Sequence, residues 1–386
     1  MIKNNLPSRV NNISPFIVMD VLEQAQAMEA KGEGVIHLEV GEPDFPTPEP
    51  IKEAAIRALR QNDTHYTHSM GKLELREEIC RYYWHKYRVN LSPEQIIITS
   101  GTSPAMLLVF SVLLEPGGEV ILPNPYYACY PNFINFLAGK PVYVPVSDAN
   151  HFKFRLEDVE QAISRATRAL LINSPSNPTG VVMTGEDLRQ IATLHVPIIA
   201  DEIYNGLIYE GEEHSILEFT SNAFVINGFS KLFAMTGWRL GYLIAPKEFI
   251  RPMQKIQQNL FICASAFAQS AAIAALRDCG AEVEHMKKIY NQRRLFLLNK
   301  LRELGIATIS TPTGAFYALA DVKKYTNDSY TFAFDLLKQA KVAVTPGIDF
   351  GSNCEGYIRL SYANSLENID KGITCIRNYL EMIRSR

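Results

Sequence analysis

From about residue 95 onward the chain follows one rhythm that limits what it can become: short apolar runs alternate with helical segments. The runs cover 95–98, 119–122, 141–144, 169–172, 197–200 and 223–226, and a further strand is expected over 240–245. A strand covered on both faces is apolar throughout, and parallel neighbours need a long crossover, usually a helix. The expected fold is therefore α/β, a mostly parallel seven-stranded sheet flanked by helices. With 386 residues, 47% of them hydrophobic, there is material for a smaller second domain as well. Helices are expected over 14–28, 48–59, 73–87, 104–114, 281–304, 330–340 and 366–383. Short strands over 314–319, 342–344 and 357–361 make the C-terminal part α+β. An early strand is expected over 35–40, after an irregular arm over 1–12.

Composition excludes several classes of function. The 38 lysines and arginines are balanced by 41 acidic residues, so no basic surplus marks a nucleic-acid or anionic-lipid surface. No run of about 18 apolar residues is present, and the polar start MIKNNLPSRVNN lacks a signal-peptide core. A cytoplasmic chain with no membrane partner is expected. The 6 cysteines form no C-x-x-C pair, which speaks for reduced thiols over a disulfide scaffold or a metal site.

In open α/β sheets, ligands bind beyond the carboxyl ends of the strands. Five of these ends carry polar chemistry. Ser100-Gly101-Thr102 opens a helix, where unpaired backbone N–H groups could meet a phosphate or be capped in the ordinary way. The absence of G-x-G-x-x-G argues against a nicotinamide site. Tyr126 could stack on a ring or plug the core. Asn177, before Pro178, could donate to a fixed oxygen or close an Asx turn. Asp201 ends an apolar strand and needs a partner, either an arginine or a protonated ring nitrogen. Tyr204 lies one turn on. In GFSKLFAMTGWRLG, Lys231 follows Ser230 at a strand end, with Arg239 after it. An ammonium in such a place is costly unless paired or deprotonated, which points to a reactive amine near an anion. Arg359, in an otherwise apolar strand, could clamp a carboxylate or form a structural ion pair.

Together with GEPDF, SPSNPTG, DEIY and IRLSYA, these stretches resemble the class I/II aminotransferases, pyridoxal-phosphate enzymes of fold type I, over nearly the whole chain. The resemblance implies that Lys231 holds pyridoxal 5'-phosphate as an internal aldimine. It also implies that Ser230, Arg239 and the Ser100-Gly101-Thr102 loop bind its phosphate, that Asp201 protonates the ring nitrogen, and that Tyr204 and Asn177 bond the phenolic oxygen. Tyr126 would stack on the ring. Arg359, Gly41 and Asn177 would take the substrate carboxylate, and Tyr66 would reach the partner subunit's cofactor in a homodimer. The implied domains are 1–46 (arm and part of the small domain), 47–285 (large cofactor-binding domain) and 286–386 (small α+β domain with a bridging helix). The implied activity is ping-pong transamination between an α-amino acid and a 2-oxo acid, with C–S β-elimination on the same cofactor as the alternative. Ser103-Pro104 stands where some aspartate-specific relatives have a lysine, and the apolar 16–18 segment favours neutral or aromatic donors without excluding aspartate.

Overall fold

The computed structural model describes residues 7–308 and 310–384. Residues 1–6 of the expected arm and the last two of the expected C-terminal domain lie outside the described residues. Twelve strands appear in chain order among those described: β1 (Ile36–His37), β2 (Ile96–Thr99), β3 (Glu119–Asn124), β4 (Lys140–Pro145), β5 (Thr167–Asn173), β6 (Ile198–Asp201), β7 (Ala223–Gly228), β8 (Gly241–Ile244), β9 (Tyr317–Asp321), β10 (Val342–Ala343), β11 (Thr345–Pro346) and β12 (Tyr357–Ser361).

The seven strands β2 to β8 form one sheet in the order β2-β8-β7-β6-β5-β3-β4. Only β8 runs against its neighbours. The chain returns from β7 through a short connection, which an antiparallel pair allows and a parallel pair does not. Its register sets Gly241 beside both Thr99 and Gly228. The residues just before β8 therefore arrive at the same sheet edge as the carboxyl ends of β2 and β7.

Each apolar run divides its side chains between two cores with a period of two. Ile96, Ile98, Ile121, Leu170, Ile172, Ile198, Ala200 and Val225 pack into one. Ile97, Val120, Leu122, Ala169, Leu171, Ile199, Phe224 and Ile226 pack into the other. Burying one such Val, Leu or Ile side chain contributes about 1.5–3 kcal/mol, so the sheet is anchored on both faces.

A second, antiparallel sheet of order β11-β12-β9 is built from the C-terminal part, and β1 pairs in parallel with β10. The early strand is shorter than expected because only Ile36 and His37 find a ladder partner. Helix α1 (Ile17–Glu29) begins later than expected, since its N-cap Phe16 is still extended, with φ of -95° and ψ of 91°. Helix α2 (Thr102–Leu113) follows β2, and the long helix α3 (Gly280–Glu303) leads towards β9. No helix among the described residues is long and apolar enough to cross a membrane.

Candidate active site

The carboxyl edge of the large sheet, the start of α1 and the faces of β9 and β12 enclose a cavity of about 310 Å³. Its wall includes Gly41, Thr102, Asn177, Asp201, Tyr204, Ser230, Lys231, Arg239 and Arg359. Most of the residues singled out from the sequence thus meet in one place, although Gly41 and Arg359 are more than three hundred positions apart.

Lys231 Nζ donates to the Gly41 carbonyl at 2.6 Å. Burial of the amine pushes its pKa down to about 8; Arg359 and Arg239 push the same way, against the carboxylates of Glu42 and Asp201. The amine is therefore neutral in a useful fraction near neutrality, which a nucleophile or base requires. Gly41 is needed for space: a Cβ there would overlap Tyr317 Oη.

Asp201 ends β6 at 5% exposure. Its carboxylate accepts from Tyr130 Oη at 2.7 Å and from the Ile203 amide at 3.2 Å. It has no ion-pair partner among the described residues, and burial pushes its pKa up to about 6. A buried carboxylate with two donors and no ion-pair partner among the described residues suits a protonated heterocyclic nitrogen.

Arg359 lies in the central strand of the small sheet, opposite Thr345 and Leu319, at 3% exposure. It donates to Asn177 Oδ1 at 2.8 Å, to Thr345 Oγ1 at 3.1 Å and to the Glu39 carbonyl. Its plane lies over Tyr317 and Phe350, 4.3 and 4.9 Å from the ring centroids. Nε is buried without a partner. Among the described residues no carboxylate forms an ion pair with this guanidinium, although the buried Asp349 carboxylate feels its charge, so the cavity holds a cation able to take an incoming anion.

A second anion cradle lies where α2 begins. Gly101 is its N-cap, with φ of 97°, and no side chain caps the helix. The first amides are left open, as at phosphate-binding helix starts. A Cβ on Gly101 would come within 2.6 Å of Arg239 Nη2, so the glycine also admits the arginine. Thr102, Ser103 and Ser230 complete the wall here; Ser100 does not reach it.

Two other residues singled out from the sequence lie away from the cavity wall. Tyr126 is outside the cavity: its ring stacks on Tyr143 at 5.1 Å, and its amide donates to the Phe350 carbonyl. The next residue, Tyr127, lines the cavity instead; both tyrosines lie in the irregular segment between β3 and the following turn. Tyr66 is 81% exposed and is not part of this chain's own cavity wall.

Tyr130, Asn173 and Tyr317 were not singled out from the sequence. Tyr317 Oη shares a 2.7 Å hydrogen bond with Tyr204 Oη. Asn173 accepts from the Asn177 amide at 2.8 Å and donates to the Asp201 carbonyl at 2.9 Å, tying the ends of β5 and β6 together. Its place as the last polar residue of an apolar run was the available signal. Tyr130 and Tyr317 had none.

The family model described as aminotransferase class I and II matches residues 33–376. The chain is 45% identical over 380 residues to a (5-formylfuran-3-yl)methyl phosphate transaminase of Methanocaldococcus jannaschii, covering 97% of this chain and 99% of the relative. A solved Methanococcus jannaschii structure, described as similar in its active site to kynurenine aminotransferases, superposes with a TM-score of 0.91 at 45% identity, covering 97% and 100%. Thermus thermophilus aspartate aminotransferase with maleate superposes at 0.93 with 38% identity, covering 97% and 99%.

Proposed function

The chain belongs to the class I and II aminotransferases and is a transaminase; on that premise we propose that it moves an amino group from a neutral or aromatic α-amino acid to a 2-oxo acid with ping-pong kinetics, using Lys231. The observation that carries this reading is the set of ionisable groups around one cavity that have no ion-pair partner among the described residues: the Asp201 carboxylate, the Arg239 and Arg359 guanidinium groups and the depressed Lys231 amine.

Family membership implies pyridoxal 5'-phosphate, and these residues fit it. The open amides after Gly101, with Thr102, Ser230 and Arg239, would hold the phosphate. Asp201 would hold a proton on the ring nitrogen, and Tyr130 keeps that carboxylate oriented. Tyr204 and Asn177 would bond the phenolic oxygen, while Tyr127, in place of Tyr126, offers an aromatic face to the cavity. When bound, the cofactor supplies an electron sink for charge at the substrate α-carbon and stores the amino group between the two half-reactions. Lys231 would anchor it covalently and, once displaced by the substrate amine, take and return the α-proton at Nζ. Arg359, with Asn177 and the Gly41 backbone, would bind the α-carboxylate.

The donor side chain would face Phe16, Val18, Met19, Leu22, Met106 and Phe133, an apolar wall. That wall supports a neutral or aromatic donor, in line with the likeness to a kynurenine-aminotransferase-type site. We place the domain limits at 1–46, 47–285 and 286–386. A cytoplasmic homodimer completes the proposal, with the exposed Tyr66 directed to the partner's cofactor phosphate.

The test adds amino acids one at a time to the cofactor-loaded protein and follows the cofactor absorbance. Neutral or aromatic acids should react, and a 2-oxo acid should restore the starting spectrum. Reaction with dicarboxylic donors alone would overturn the donor class. Release of pyruvate and ammonia without an acceptor would overturn transamination.

A further inference from the structure

The helix that carries the apolar wall packs through Val21, Ala25 and Met28 against Leu337 and Ala343, but its first turn, which faces the cavity, has no local cap. Phe16, at the start of α1, gives its helix no side-chain cap. The first amides are instead taken up by a residue from the far end of the chain. Asp349 Oδ1 accepts from the Ile17 amide at 3.1 Å, and Oδ2 accepts from the Val18 amide at 3.3 Å. This carboxylate is 7% exposed, and its charge faces the positive end of the helix, where an anion is favourable.

Asp349 belongs to the single turn Gly347–Phe350, which also touches Arg359 in the cavity wall and Tyr126 just outside it. Phe350 lies under the Arg359 guanidinium, and its carbonyl accepts from the Tyr126 amide at 3.0 Å. Phe16 in turn sets its ring edge-on to Tyr127 at 5.8 Å. Before the helix, Ser14 is bound by Asn132, at 3.0 and 3.2 Å and at the surface. Asp349 is thus a buried polar tether between the first turn of the wall and the turn that supports the carboxylate clamp.

We propose that Asp349 is a positioning residue that sets the distance between the apolar side-chain wall (Phe16, Val18, Met19, Leu22) and Arg359, and so determines how well large apolar side chains are accepted. The inference rests on the reading of Arg359 and this wall as the substrate site. It predicts a selective effect. Losing the cap lets the wall drift, which costs ligands that reach it and spares those held by the carboxylate alone.

Two ligands that need no turnover separate these cases in the cofactor-loaded protein: 3-phenylpropionate, which would reach the wall, and propionate, which would engage only Arg359. In Asp349→Ala, calorimetric Kd should rise about tenfold for 3-phenylpropionate and less than about twofold for propionate. Amide exchange over residues 17–22 should speed up by about tenfold or more, with the sheet strands unchanged. Asp349→Asn keeps one carbonyl acceptor; it should lie between the two and serves if the alanine variant does not fold. Equal weakening of both ligands, no weakening of either, or unchanged exchange over residues 17–22 would overturn the proposal. A protein that converts no amino acid but shows the shifted Kd ratio would instead overturn the proposed reaction and leave the role of Asp349 standing.

Discussion

Arg359 is fixed on three sides by Asn177, Thr345 and the Glu39 carbonyl, yet it keeps a buried, unpartnered Nε and no ion-pair partner among the described residues. Truncating it should remove a charge-assisted contact common to every α-carboxylate substrate. For Arg359→Ala we expect KM to rise by about a hundredfold for all donors alike, while the cofactor absorbance of the loaded variant is retained. A donor-specific loss, or loss of the cofactor, would count against the clamp. At this scale the sequence was informative wherever a polar residue interrupted an apolar pattern. Asp201, Lys231 and Arg359 stand out in this way, since burying an ion without a purpose is expensive. Aromatic residues carry no such mark. Tyr126 and Tyr127 are chemically identical neighbours, and only the direction of the chain after β3 decides which faces the cavity. The same holds for Tyr130 and Tyr317, whose hydroxyls act through partners distant in sequence.

At the scale of elements, strand ends position the chemistry, and the ends are themselves held by buried polar contacts. Glu202 follows the last residue of β6 and is 3% exposed. It accepts from Ser215 Oγ and the Ile216 amide, both at 2.9 Å, tying the sheet edge to the turn that follows. Burial pushes its pKa up to about 8, and the carboxylates of Glu213 and Glu218 add to this. The folded state therefore holds a proton that the unfolded chain, with its ordinary value near 4.5, has released. The contribution is present below the unfolded pKa and is lost as pH rises towards the folded one. Glu202→Gln removes this dependence, so relative to the parent it should gain on the order of 1–3 kcal/mol between about pH 5 and pH 8. Denaturant titrations at the two values check it, and a pH-independent difference would contradict the assignment. The strands themselves were legible because continuous apolar runs between helical segments have few other uses. The direction of β8 was not, since strand direction depends on the short connection and not on apolar content. The early strand was overread for a related reason: Leu38 still bonds Ala343 and Ser361, but the chain bends at Glu39 and leaves the ladder.

Over the whole molecule, the cavity exists only because the two ends of the chain close on the middle. β1 pairs with β10, the Ser361 amide bonds the Leu38 carbonyl, and Asp349 caps α1. These contacts bring the Gly41 segment over Lys231 and Arg359 over Asn177. The sequence carried the parts of this assembly in order, but distance along the chain hides which of them touch. The exposed Tyr66 belongs to the same scale, since its proposed role needs a second copy of the chain. The central claim is that this assembly holds pyridoxal 5'-phosphate on Lys231. Borohydride reduction of the cofactor-loaded protein, followed by peptide mapping, tests it most directly. We predict a pyridoxyl group on Lys231 alone and no modified peptide in Lys231→Ala. A pyridoxyl group on another lysine, with Lys231 unmodified, would contradict the account.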